Sequence, residues 1–134
     1  MPDTELTCPC GSGRDYRLCC GPFHAGTAVP ATAEELMRSR YSAYALVKPD
    51  YLFATQHPQT RPTNPESIKE WAESVSFEGL EVLKTSQGGP TDKIGKVEFR
   101  AVYRHRGQQQ EMREISRFRR YQGRWVYYDG DFPD

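Results

Sequence analysis

Four thiols crowd one end of this chain, and their spacing suggests chemistry before anything else does. All the cysteines fall within the stretch Cys8-Pro9-Cys10-Gly11-Ser12-Gly13-Arg14-Asp15-Tyr16-Arg17-Leu18-Cys19-Cys20. A Cys-x-Cys pair, a loop holding two glycines and then two adjacent cysteines form the arrangement of a metal site. Structural Zn²⁺ takes four ligands in a tetrahedron and favours Cys thiolate or His nitrogen, so these sulfurs suffice to close its shell. The intervening loop must turn back sharply, and Gly11 and Gly13 are expected to adopt the positive φ this requires. Four thiolates outweigh the charge of one Zn²⁺, and Arg14 and Arg17 are expected to offset the excess as neighbours of the ligands. Adjacent Cys19 and Cys20 must diverge to share one ion, which leaves the fourth ligand open between Cys20 and His24, the latter brought round by Gly21-Pro22-Phe23-His24.

Other uses of the thiols fit less well. A Gly-rich polar segment is a poor place for four free core thiols. Disulfides suit secreted chains, and Cys8 and Cys10 are too close to bridge without strain. A redox pair lacks the usual two-residue spacer. At 134 residues, with 18 Lys+Arg against 18 Asp+Glu, the chain has room for one ordinary domain beside this element and carries no global field toward nucleic acid or membrane. No run approaches eighteen apolar residues, so no membrane-spanning helix is expected. The acidic start Met1-Pro2-Asp3-Thr4-Glu5 lacks the features of a signal peptide, and the expected compartment is a reducing cytoplasm in which thiolates stay free for metal.

Past a small-residue linker, Ala25-Gly26-Thr27-Ala28-Val29-Pro30, the pattern becomes helical. Thr32-Ala33-Glu34-Glu35 reads as a capping box opening a helix whose apolar face holds Met37, Tyr41 and Tyr44 and which Pro49 stops. A short second helix is expected to be capped by Asp50. A third is expected to start at Asn64-Pro65 and to bury Ile68, Trp71, Ala72 and Val75. From Ser76 the period falls to two. Strands are predicted over Phe77 to Leu83 with a bulge at Gly79, around Val97 to Tyr103, around Met112 to Phe118, and from Trp125 on. Eight Tyr and six Phe supply much of the core volume. Helices followed by antiparallel strands make an α+β plan, with the helices covering one side of a curved sheet.

Strand parity places Glu114 and Ser116 between Met112 and Phe118 on the inward face. Glu114 is therefore expected to be a semi-buried carboxylate, held by Arg38, Arg40 or a Tyr hydroxyl. A pocket between helices and sheet has Glu114, Ser116, Arg38, Arg40, Tyr41, His105 and Trp125 as its candidate lining. Between Val97 and Arg124 eight arginines stand against three glutamates, most of them on the outward face. That strip is either a soluble sheet surface or a contact for phosphates.

The residues CPCGSGRDYRLCC resemble the SEC-C zinc motif, a short metal-binding element also found at the C-terminus of the SecA translocation ATPase. MRSRYSAYALVKPDYLFATQHP and EISRFRRYQGRWVYYDG resemble the YchJ-like bacterial family, in which that motif precedes an NTF2-like (cystatin-like) α+β domain. The resemblance covers nearly the whole chain and implies a zinc element over residues 1–26 and an NTF2-like domain over residues 30–134. It further implies Zn²⁺ on Cys8, Cys10, Cys19 and Cys20, and it supplies no catalytic residues. The expectation is a cytoplasmic zinc-binding module that docks a protein partner. The alternatives are a small-molecule binder or enzyme using the Glu114 pocket, and an RNA or ribosome contact through the arginine strip.

Overall fold

The structure, a computed structural model, describes residues 7–133; the acidic stretch Met1 to Glu5 lies outside them. The cysteine segment folds back on itself. Thr7 and Asp15 form an isolated bridge, and the Cys8 N–H donates to the Arg14 carbonyl at 2.8 Å. Gly11 and Gly13 sit at φ +85° and +82°, as the sharp turn requires. A 3₁₀ turn at Tyr16–Leu18 follows, opened by the Asp15 carboxylate, which accepts from the Arg17 N–H. Helix α1, Gly21–Ala25, then ends at a left-handed Gly26.

Helix α2, Ala33–Ala45, opens at Thr32, whose hydroxyl accepts from the Glu35 N–H. The return bond of the expected box is displaced by one residue, because the Glu35 carboxylate accepts from Ala31 N rather than from Thr32 N. The helix ends at Leu46, and Val47 takes a left-handed φ of +56° that breaks the ladder before Pro49 is reached. Pro49 therefore opens α3, Pro49–Ala54, at its first position instead of merely stopping α2, and Asp50 lies inside that helix rather than capping it. Helix α4, Glu66–Ser74, buries Ile68 and Ala72 and leaves Trp71 partly exposed. Asn64 accepts from the Glu66 N–H. Val75 is extended and opens the first strand, so the apolar spacing overran the helix by one residue.

Four strands follow: β1 (Val75–Gln87), β2 (Ile94–His105), β3 (Gln108–Tyr121) and β4 (Arg124–Asp131). They form an antiparallel meander in chain order. Register shifts fall at Phe77/Gly79 and Val82/Lys84 in β1 and opposite Arg117/Phe118, where Tyr128 of β4 is the extra residue, and bulges of this kind bend a sheet. Cross-strand register sets Val97 against Ser116, Phe99 against Glu114 and Ala101 against Met112, so these six share the face that α2 covers. Cys8, Cys10 and Cys20 belong to the same buried cluster as Leu36, Met37, Tyr41, Phe99, Phe118 and Trp125, so the sulfur segment and the α+β layers share one core. Trp125 ties the two ends of that core together. Its indole N–H donates to the Ala31 carbonyl at 3.1 Å, and the Arg120 guanidinium lies 4.2 Å above its ring. Trp125→Phe keeps an aromatic ring but loses the bond to the Ala31 carbonyl, and is expected to lower stability by about 1 kcal/mol in urea denaturation with the fold unchanged.

Candidate functional site

The backbone breaks at Cys19 (φ −123°, ψ −98°) and returns to helical values at Cys20 (φ −82°, ψ −19°). Two adjacent side chains thereby reach one point from different directions. The Sγ atoms of Cys8, Cys10, Cys19 and Cys20 all lie within 4.8 Å of one another, with Cys10 to Cys19 at 3.6 Å and Cys19 to Cys20 at 4.0 Å. Three of the four are buried, and Cys19 is half-buried. The groups around the sulfurs are hydroxyls. Ser42 Oγ, from α2, is 3.3 Å from both Cys8 Sγ and Cys20 Sγ, and Ser12 Oγ is 3.2 Å from Cys19 Sγ.

The arginines expected beside the sulfurs are engaged elsewhere. Arg14 donates to the Leu18 carbonyl and Arg17 pairs with Asp15, so each stabilises the loop's shape. Arg38 takes the supporting place instead, donating from Nη1 to the Cys10 carbonyl at 2.8 Å while Nε pairs with Glu34. His24 is held away from the sulfurs at both nitrogens. Its Nε2 meets the Ser39 carbonyl at 2.8 Å and must carry the proton, which leaves Nδ1 to accept from the Tyr16 hydroxyl at 2.6 Å. Burial lowers its pKa and keeps the ring neutral.

Left to themselves the thiols conflict. Hydrogen bonding from Cys20 holds the Cys10 thiol down at about 4. Cys20 is pushed up, first by that same bond and then by burial, and Cys19 is pushed up mainly by burial. One thiolate here thus raises the cost of the next, since like charges in a poorly solvated site repel. A thiophilic cation at the centre removes the conflict, and a convergent all-sulfur donor set is the one such an ion selects. The residues fit a metal ion.

Beneath α2 lies a separate cavity of about 370 Å³, lined by Met37, Arg40, Tyr41, Tyr44, Trp71, Phe77, Phe99, Ala101, Met112, Glu114, Ser116, Phe118, Tyr127 and Phe132. Of the pocket residues expected from the sequence, Glu114, Ser116, Arg40 and Tyr41 meet there, and three do not. Arg38 faces the sulfur loop, Trp125 is committed to Ala31, and His105 lies at the end of β2 near Trp71. The Glu114 carboxylate accepts from the Tyr127 hydroxyl at 2.6 Å, the Tyr partner among the expected alternatives. Burial raises its pKa against the opposing effect of Tyr127.

Four of the eight arginines of the strip pair with carboxylates on neighbouring strands. Arg100 pairs with Glu81 and Glu111, Arg104 with Glu78, Arg113 with Glu98, and Arg117 with Asp129 and Asp131. Counting charge along one segment missed Glu78 and Glu81 on β1 and Asp129 and Asp131 on β4. Ser42 was also missed. The available signal was the small-residue content of Ser39, Ser42 and Ala43, which lets another segment approach the helix closely; all three are fully buried.

Comparison with known proteins agrees with this geometry. Residues 7–22 match the model of the SEC-C motif, and residues 32–130 match that of the YchJ middle NTF2-like domain. A UPF0225 protein of Ralstonia nicotianae is 49% identical over 97% of this chain and 94% of its own length. One from Corynebacterium efficiens is 45% identical over the whole of both. The solution structure of a SEC-C motif containing protein from Rhodopseudomonas palustris is similar at TM-score 0.86 and 41% identity, covering 96% of this chain and 100% of that one. The crystal structure of a SEC-C motif containing protein from Psychrobacter arcticus has TM-score 0.77 and 32% identity, covering 100% and 84%.

Two outcomes are expected from this geometry. Ser42→Ala removes a hydroxyl from two sulfurs and should weaken metal affinity about tenfold, read by competition with a chromophoric chelator. Glu114 has a folded pKa above its ordinary 4.5, so the folded state holds that proton more tightly and stability is lost as pH rises through the raised value. The stability of Glu114→Gln relative to the unsubstituted chain should therefore grow as pH rises above 4.5 in paired urea titrations.

Proposed function

The chain belongs to the YchJ-like family, a SEC-C motif joined to the YchJ middle NTF2-like domain, and on that footing we propose that it is a zinc-dependent protein-interaction module. The observation that carries the reading is the convergence of four cysteine sulfurs within 4.8 Å. A tetrahedron of Zn–S bonds near 2.3 Å puts its sulfurs about 3.8 Å apart, and the Cys10–Cys19 and Cys19–Cys20 separations of 3.6 and 4.0 Å bracket that value. Cys8, Cys10, Cys19 and Cys20 are the proposed ligands, and His24 keeps its bonds to Tyr16 and Ser39. Zn²⁺ supplies cross-linking and charge neutralisation here, because four thiolates leave no position for a reactive water.

The tip of the metal loop is the proposed docking surface. Leu18 is 69% exposed beside Arg14 and Arg17, a large apolar side chain displayed on a loop that the ion makes rigid. No helix among the described residues is long and apolar enough to cross a membrane. Four free thiols suit a reducing compartment, and the cytoplasm is the proposed one.

Elemental analysis of tag-free protein is expected to find one zinc per chain, lost in Cys10→Ser, and a chelator should lower the melting temperature of the intact protein. A metal-free, equally stable preparation would end the zinc reading. Affinity capture should compare the intact chain with Leu18→Glu, which leaves the sulfurs untouched. The same partners recovered by both would dismiss the loop as a docking element.

A further inference from the structure

The cavity under α2 is lined by a single carboxylate, Glu114, and no cationic side chain of the described residues forms an ion pair with it. Glu114 is only 7% exposed; its partners among the described residues are hydroxyls, Tyr127 donating to Oε2 and Ser116 beside it, and no cationic side chain lies within ion-pair distance. An ionised carboxylate has about four lone-pair directions to fill, and burying it without donors is costly. The fold nevertheless makes room for it. Gly130 lies on β4 opposite Ser116, and a Cβ added there would fall 2.0 Å from Glu114 Oε2. Its φ is not positive, so no backbone conformation demands glycine at that point. What demands it is the space the carboxylate occupies.

Arg40, the one cation among the lining residues, is already provided for. Its Nη1 donates to the Leu52 carbonyl and to Thr55 Oγ1 at the end of α3, each at 2.8 Å, and its guanidinium lies 4.8 Å above the Tyr127 ring. Arg40 is thus directed toward α3 and the Tyr127 ring, and Glu114 is the anionic group that a ligand in the cavity would meet. Aromatic rings make up much of the walls, and two of them at the mouth, Trp71 at 37% and Phe132 at 62% exposure, are also open to solvent. Ring faces carry partial negative charge and favour cations. An anion would meet those faces and the carboxylate together, and a hydrocarbon would leave the carboxylate without a countercharge.

We propose that this cavity binds a small organic amine, its ammonium group donating to Glu114 and its flat apolar body resting against Phe77, Phe99 and Trp71. A volume of about 370 Å³ is at the lower end for small-molecule sites and suits a compact ligand. The site shares no residue with the sulfur cluster, so it stands whether or not the loop docks a partner.

Three probes with the same body and different ends test the assignment on the full, metal-loaded chain: 2-phenylethylamine, 2-phenylethanol and phenylacetate. Calorimetry and amide chemical shifts should show the amine binding about tenfold more tightly than the alcohol, with phenylacetate weakest and the shifts centred on Trp71, Phe77, Glu114 and Gly130. Glu114→Gln should abolish the preference for the amine while leaving the alcohol unchanged. Gly130→Ala, which displaces the carboxylate, should do the same. Should either variant fail to fold by circular dichroism, the order of the three probes on the unsubstituted chain decides the matter. Equal binding of all three, tightest binding of phenylacetate, shifts outside the cavity or no saturable binding at millimolar concentration would each overturn the proposal.

Discussion

Like charge gathered in a dry place is the constraint around which this protein is built. Four sulfurs converge inside a core that also holds Leu36, Met37 and Phe118, and their thiols cannot all ionise there without a cation between them. A metal ion held by these sulfurs would do more than fasten a loop, because the surface of the loop that faces inward is a wall of the main core. Without the cross-link, the Gly-rich segment from Cys10 to Gly13 has little of its own to hold it in shape. Its fixed points are the Cys8–Arg14 backbone bond, the Asp15 cap and the donation of Arg38 to Cys10.

Helix α2 serves both sites from opposite sides. Ser42 faces the sulfurs, and Ser39 accepts His24 on its carbonyl while its hydroxyl donates to Leu36 and accepts from Tyr51. Met37, Arg40, Tyr41 and Tyr44 face the cavity. Small residues on one side and large ones on the other let the loop press close while the sheet is held off far enough to leave space. A shift of α2 caused by changes at the metal loop would therefore be felt at the cavity wall, through a rigid element packed on both faces.

On the outer side of the sheet, arginines and carboxylates interleave across all four strands. Exposed pairs of this kind contribute about 0–1 kcal/mol each, so their main effect is on the surface potential. They offset part of what reads along the chain as a basic block. Arg119 and Arg120 instead lie over the rings of Tyr128 and Trp125, covering aromatic surface with their guanidinium planes.

The local sequence determined whatever depends on near neighbours or on period. Cysteine spacing announced the metal-type cluster, glycines at Gly11 and Gly13 announced the turn, and alternation along β2 and β3 put Val97, Phe99, Glu114, Ser116 and Phe118 on the buried face. The Gly79 bulge was legible as well. Contacts between distant segments were not. That Ser42 rather than Arg14 or Arg17 touches the sulfurs depends on how α2 packs, 22 residues beyond Cys20. Arg38 faces the loop and Arg40 the cavity because the helix turns about 200° over two residues, and only the packing shows which side is which. The arginine strip changed its meaning once β1 and β4 brought in acids remote in sequence. Composition and period act within a few residues, whereas charge pairing and the shape of a cavity belong to surfaces that the chain assembles only when it folds.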